Sequence, residues 1–125
     1  MIVGIGCDTV DHEIAEKLNW LQDENLLRRF LSEKEFELLR KNNSIKFLAG
    51  RFAVKEAVLK CLGTGMQDGI SLSDIQILQL QTGQPTIEIT GMVKKISNDK
   101  GICKWHLSIS HSLSHTVAFV VAEKC

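Results

Sequence analysis

At 125 residues the chain has the length of one domain, residues 1–125, and is long enough to bury a core without staples. Apolar residues make up 44% and charged residues 24%, proportions that exclude an intrinsically disordered chain. Fifteen basic residues balance fifteen acidic ones, so a nucleic-acid partner, which needs a clear basic excess, is not expected, whereas one small anionic ligand is allowed.

Residues 2–7, Ile-Val-Gly-Ile-Gly-Cys, read as a short buried strand ending at Asp8. A polar helical segment is predicted over about 11–21. Ser32 and Glu35 form a capping box, which predicts a helix from Glu33 toward Lys41. The strongest helix signal runs from Ile45 to Leu62 and is closed by Gly63. On its wheel Ile45, Leu48, Phe52, Leu59 and Leu62 form one stripe, with Lys55 inside it, Arg51 on one flank and Glu56 and Lys60 on the other. A loop over 63–69 follows. Residues 74–81 and 86–90 then alternate around a turn at 82–85 and read as a hairpin. A short helix is predicted over 92–98, a strand over 104–110 with Trp105, Leu107 and Ile109 on one face, and a final strand over 116–122. Helices between strands in this order give an α+β fold. Cys7, Cys61, Cys103 and Cys125 are scattered, no secretory leader is expected before Asp8, and no apolar run approaches the ~18 residues of a membrane span. The expectation is a cytoplasmic protein with reduced thiols and no membrane partner.

Several residue groups could carry chemistry. Asp8 at a strand end suits a metal ligand or an ordinary turn. Lys55, Glu56 and Lys60 suit a surface ion pair beside a snorkelling lysine. Yet residues 38–60 hold six basic side chains and one acid, Glu56, a pattern that also suits a metal ligand beside a phosphate site. Backbone N–H groups of Gly63-Thr64-Gly65 could approach phosphate, although neither a Walker loop nor a dinucleotide fingerprint is present. Cys103, His106, His111 and His115 have a zinc-like spacing, but Cys103 and His106 fall on opposite faces of a strand. Ser108, Ser110 and His111 lack the elbow of a serine hydrolase.

Taken together, Gly4-Ile-Gly-Cys-Asp8, Phe47-Leu-Ala-Gly-Arg-Phe-Ala-Val-Lys-Glu-Ala57, Lys60, Gly63-Thr-Gly65, Gly83-Gln-Pro85 and Ser108-Ile-Ser-His111 resemble the small, single-repeat holo-acyl-carrier-protein synthase class of 4′-phosphopantetheinyl transferases. The resemblance implies that fold, with a long central helix packed on a small antiparallel sheet. It also implies transfer of the phosphopantetheine arm of coenzyme A to a serine of apo-acyl-carrier protein, releasing adenosine 3′,5′-bisphosphate and supporting fatty-acid biosynthesis. Asp8 and Glu56 would hold Mg²⁺, and Lys60 would join them as the third catalytic residue. Arg51, Lys55, Lys60, Gly63, Thr64, Gly65, Pro85, Ser108, Ser110 and His111 would line the coenzyme A site. A homotrimer with sites between subunits is implied. The family's first-helix arginine, which grips the carrier protein, is absent from Asp11-His-Glu-Ile-Ala-Glu-Lys17. Arg28, Arg29, Arg40, Lys41 and Lys46 are the expected replacements. A non-catalytic module binding a nucleotide or an acidic protein, and a metal-dependent phosphohydrolase acting on coenzyme A, are the competing readings.

Overall fold

The computed structural model describes residues 1–64 and 69–125. β1 (Ile2–Asp11) leads into α1 (His12–Lys17), capped by the Asp11 carboxylate on the N–H groups of Glu13 and Ile14. After a short 3₁₀ turn at Trp20–Gln22 come α2 (Glu24–Phe30), α3 (Glu33–Lys41) and α4 (Ile45–Leu62). The hairpin β2 (Ile75–Gln79) and β3 (Pro85–Ile89), then α5 (Gly91–Asp99), β4 (Ile102–His111) and β5 (His115–Lys124), complete the chain. The fold is α+β, as expected.

β1, β5 and β4 form one antiparallel sheet in that order, and β2 and β3 form a second. β1 and β4 are therefore the two edges of the larger sheet. α4 crosses its inner face. Near β1 the approach is so close that a Cβ on Gly4 or Gly6 would collide with the backbone carbonyl of Cys61 or Ala57. Near β4, Gly50 of α4 faces Ile109 and His111. The sequence stripe on α4 is too narrow. Twelve of its 18 residues are buried, because α2, α3 and the hairpin cover the flank that the sheet leaves open.

Three expectations need correction. The first strand is neither buried throughout nor ended at Asp8: β1 runs on to Asp11, and as a sheet edge packed on one face only it buries just Gly6 and Val10. The segment after the first strand is not one helix over 11–21: α1 ends at Lys17, Asn19 turns the chain in the left-handed region (φ 56°), and α2 starts after Asp23, whose carboxylate accepts from Leu26 N. The thiols are not all free either. Cys103 and Cys125 form a disulfide, their Cα atoms 5.6 Å apart, because the paired ends of β4 and β5 bring them together. Cys7 and Cys61 are free. No helix among the described residues is long and apolar enough to cross a membrane.

Candidate active site

Alternation along β1 turns Gly4, Gly6, Asp8 and Val10 toward α4. The two glycines bring the strand onto the helix, and Asp8 then lies beside Glu56 and Lys60. Lys60 Nζ donates to Asp8 Oδ1 at 3.2 Å and to the Cys7 carbonyl at 2.8 Å, tying helix to strand. Glu56 is half-buried, and burial first, then the Asp8 carboxylate, raise its pKa, while Lys60 pulls it back down. Two hard oxygen ligands, close enough to repel and open to solvent, suit a cation that takes one or two carboxylates and completes its shell with water and phosphate. The residues present therefore fit Mg²⁺. Among the described residues no cluster of three or more metal-ligating side chains occurs, and the zinc-like spacing is dispersed. Cys103 is in the disulfide, His106 bonds Glu123, and His111 bonds Thr116.

A second constellation lies at the other edge of the sheet. A cleft of about 620 Å³ opens between the start of α4, the β2–β3 turn and β4. Lys46, Arg51, Gly83, Pro85, Ser108 and His111 are among the residues lining it. The Arg51 guanidinium lies 3.8 Å from the Phe47 ring centroid, and its Nη2 donates to the Ile77 carbonyl at 3.2 Å. Its Nε is buried and has no partner among the described residues, and burial lowers its pKa. Such a half-satisfied guanidinium suits an anionic ligand.

Some expected site residues fall elsewhere. Lys55 does not line the cleft. It is fully buried, and its Nζ donates to Glu35 Oε1 (2.7 Å), to the Leu72 carbonyl (2.9 Å) and to the Phe30 carbonyl, so its three protons are all engaged inside the fold. Gly63 and Thr64 close α4, their N–H groups donating to the carbonyls of Lys60 and Leu59, so neither N–H is free to cradle a phosphate. Gly65 lies outside the described residues. Ser110 is exposed on the outer sheet face and does not line the cleft. Lys46, expected at a carrier-protein surface, lines the cleft with His111. Arg28 and Arg40 instead flank the Phe36 ring, at 5.9 and 5.4 Å from its centroid, in a separate groove of about 440 Å³. Arg29 and Lys41 are exposed nearby on α2 and α3.

Asp8 and His111 both face α4, yet β5 separates their strands. Along α4, Arg51 and Lys60 are about 13 Å apart at 1.5 Å per residue and point to opposite sides at 100° per residue. Within one chain the carboxylate edge and the cleft edge do not converge.

Reasoning on the sequence missed Glu35, which holds Lys55 and also accepts from Ile77 N at 3.1 Å. It also missed His12, Thr116 and Phe36. Glu35 was visible only as a helix cap, and nothing local marks its two distant partners.

The chain is similar to known proteins over nearly its whole length. Residues 4–120 match the family described as the 4′-phosphopantetheinyl transferase superfamily. A holo-[acyl-carrier-protein] synthase of Hydrogenovibrio crunogenus is 41% identical over 98% of this chain and 98% of its own. The crystal structure of the synthase from Neisseria meningitidis superposes with a TM-score of 0.90 at 34% identity, over 99% of this chain and 100% of that one. The Helicobacter pylori synthase in complex with coenzyme A superposes with a TM-score of 0.82 at 32% identity, over 95% and 99% of the two chains.

Proposed function

The chain belongs to the 4′-phosphopantetheinyl transferase superfamily, and on that premise we propose that it is a holo-acyl-carrier-protein synthase. It moves the 4′-phosphopantetheine arm of coenzyme A to a serine of apo-acyl-carrier protein, in the cytoplasm and in support of fatty-acid biosynthesis. The serine oxygen forms a new bond to the arm's phosphorus. The pyrophosphate P–O bond breaks, and adenosine 3′,5′-bisphosphate leaves with the electron pair. The observation that carries this reading is the Asp8–Lys60–Glu56 constellation at the β1 edge, built by the two strand glycines.

Asp8 and Glu56 would hold Mg²⁺, which supplies charge neutralisation on the pyrophosphate oxygens. Lys60 reaches the same oxygens with a positive charge and stabilises the departing phosphate. Glu56 is the carboxylate that would accept the serine proton. Lys46, Arg51 and His111, with Pro85 and Ser108 beside them, form the basic cleft for a coenzyme A phosphate.

The two half-sites lie at opposite edges of the sheet, so a complete site requires the β1 edge of one copy beside the β4 edge of the next. Contacts of that head-to-tail kind close into a ring, and a homotrimer is the arrangement we propose. The outer sheet face supports it: Ile5, Val117 and Phe119 are exposed there, 37–58% of each accessible. Arg28, Arg29, Arg40 and Lys41 on α2 and α3 would receive the acidic carrier in place of the missing first-helix arginine. Arg29→Glu should therefore weaken carrier binding at least tenfold and leave coenzyme A binding unchanged, and equal loss of both would refute that assignment.

Incubation with apo-acyl-carrier protein, coenzyme A and Mg²⁺, followed by intact mass measurement of the carrier, tests the function. A gain of one phosphopantetheine, abolished by chelator, is expected. Release of product from coenzyme A without a carrier would instead indicate the phosphohydrolase. A panel of carriers left unmodified, with coenzyme A intact, would favour the binding module.

A further inference from the structure

His12 of α1, Thr116 of β5 and His111 of β4 form one hydrogen-bonded chain on the inner face of the sheet. His12 is 5% exposed and Thr116 is fully buried. His12 Nδ1 lies 3.1 Å from the Leu113 carbonyl, and its Nε2 lies 2.7 Å from Thr116 Oγ1. Thr116 Oγ1 in turn lies 2.7 Å from His111 Nδ1. A backbone bond from His12 N to the Ser114 carbonyl, at 2.9 Å, pins α1 to the same β4–β5 turn.

Proton counting gives this chain a direction. The Leu113 carbonyl can only accept, so His12 Nδ1 carries the hydrogen. A neutral His12 then has a lone pair at Nε2, and the single Thr116 hydroxyl proton must point to it. Thr116 Oγ1 is left to accept from His111, whose hydrogen is thereby fixed at Nδ1. His111 Nε2 has no partner among the described residues, and the ring lines the cleft that also holds Lys46 and Arg51.

We propose that His12 is a positioning residue that acts through Thr116 to hold neutral His111 as its Nδ1–H tautomer, leaving Nε2 as the one proton-accepting nitrogen open to the cleft. A consequence follows for ligand binding, and it rests on the coenzyme A reading of that cleft. An ionised phosphate oxygen only accepts hydrogen bonds, so His111 can hold it only after taking a proton at Nε2. Phosphate binding is then coupled to uptake of one proton. The charged or titratable groups acting on His111 are His12 from α1 and Lys46 from α4, and Arg51 of α4 lines the same cleft. Burial, His12 and Lys46 all lower its pKa, so a bound anion is what restores the charged form.

The test uses the whole protein labelled with ¹⁵N in its histidine rings, with long-range ¹H–¹⁵N correlation at alkaline pH. Wild type should show His111 protonated at Nδ1 and bare at Nε2. Thr116→Val and His12→Leu should both invert this to Nε2–H, and Thr116→Ser, which restores the hydroxyl, should return the wild-type pattern. Coenzyme A affinity of the wild type should fall about tenfold per pH unit above the His111 midpoint, and Thr116→Val should flatten that slope. A wild-type His111 protonated at Nε2, or a tautomer unchanged in Thr116→Val, would overturn the proposal. If coenzyme A perturbs no His111 signal while the tautomers behave as stated, the relay stands and the assignment of the cleft to coenzyme A falls.

Discussion

Glu56 is the residue at which stability and activity pull apart. Burial and the Asp8 carboxylate both disfavour its charge, and Lys60 relieves this only in part. The folded chain therefore holds a proton on Glu56 at a pH where the unfolded chain has released it. Metal-free protein should gain stability as pH falls through that raised value toward the ordinary carboxylate range, and Glu56→Gln should remove the gain. Thermal melts across the acid range check the sign. The same substitution should cost transfer about 100-fold or more, as removal of a group acting on reaction charge does elsewhere. In the metal-free protein Lys60→Gln should move the onset of that stability gain to higher pH, since the cation that lowers the Glu56 pKa is gone. An onset left in place would separate Lys60 from Glu56.

Lys55 makes the opposite point at the same scale. Burial lowers its pKa to about 8, against the pull of Glu35, so at neutral pH it remains an ammonium with three internal acceptors. Lys55→Met should cost about 3–5 kcal/mol by leaving Glu35 buried and unpaired. Urea melts measure the loss. Coenzyme A affinity in the surviving folded fraction should be unchanged, because Lys55 does not face the cleft.

Elements matter here through how closely two of them approach. Gly6 permits the contact of β1 with α4 that brings Asp8 within reach of Lys60. Gly6→Ala should lower stability by about 1–3 kcal/mol, as overpacking does, and should reduce transfer more than the stability loss explains. A variant with lowered melting temperature and full transfer would show that the spacing is not what sets Asp8. The disulfide joins strands already paired by hydrogen bonds and closes a separation of 22 residues. Cys125→Ser should therefore cost at most roughly 3 kcal/mol in the oxidised protein and nothing under reductant.

Periodic and capped segments were legible in the sequence for local reasons. The capping box of Ser32 and Glu35 and the Gly63 stop depend on neighbours within four or five residues, and the β2–β3 hairpin starts from a pair, Gln79 and Pro85, six residues apart. α2 was not legible, because its seven residues are too few to show a period and its cap, Asp23, stands among other polar residues. Asp8, Glu56 and Lys60 stood out through motif and charge, and the fold brings them together. The placement of Lys55 was not legible. A lysine inside an apolar stripe looks the same whether it snorkels to water or meets a carboxylate 20 residues away.

At the scale of the whole molecule, the strand order β1–β5–β4 governs the site, and no single motif encodes it. It separates the carboxylate edge from the basic cleft, and the proposed function therefore calls for a neighbour. Subunit complementation tests this most directly. One inactive chain carries Asp8→Ala, leaving its cleft intact. The other carries Lys46→Ala with His111→Ala, leaving its carboxylates intact. Each alone should leave the carrier protein unmodified. After the two are mixed, unfolded and refolded together, junctions that join the two intact edges should return about a quarter of wild-type phosphopantetheine transfer. Refolded mixtures that assemble into rings yet leave the carrier mass unchanged would contradict a site shared between copies.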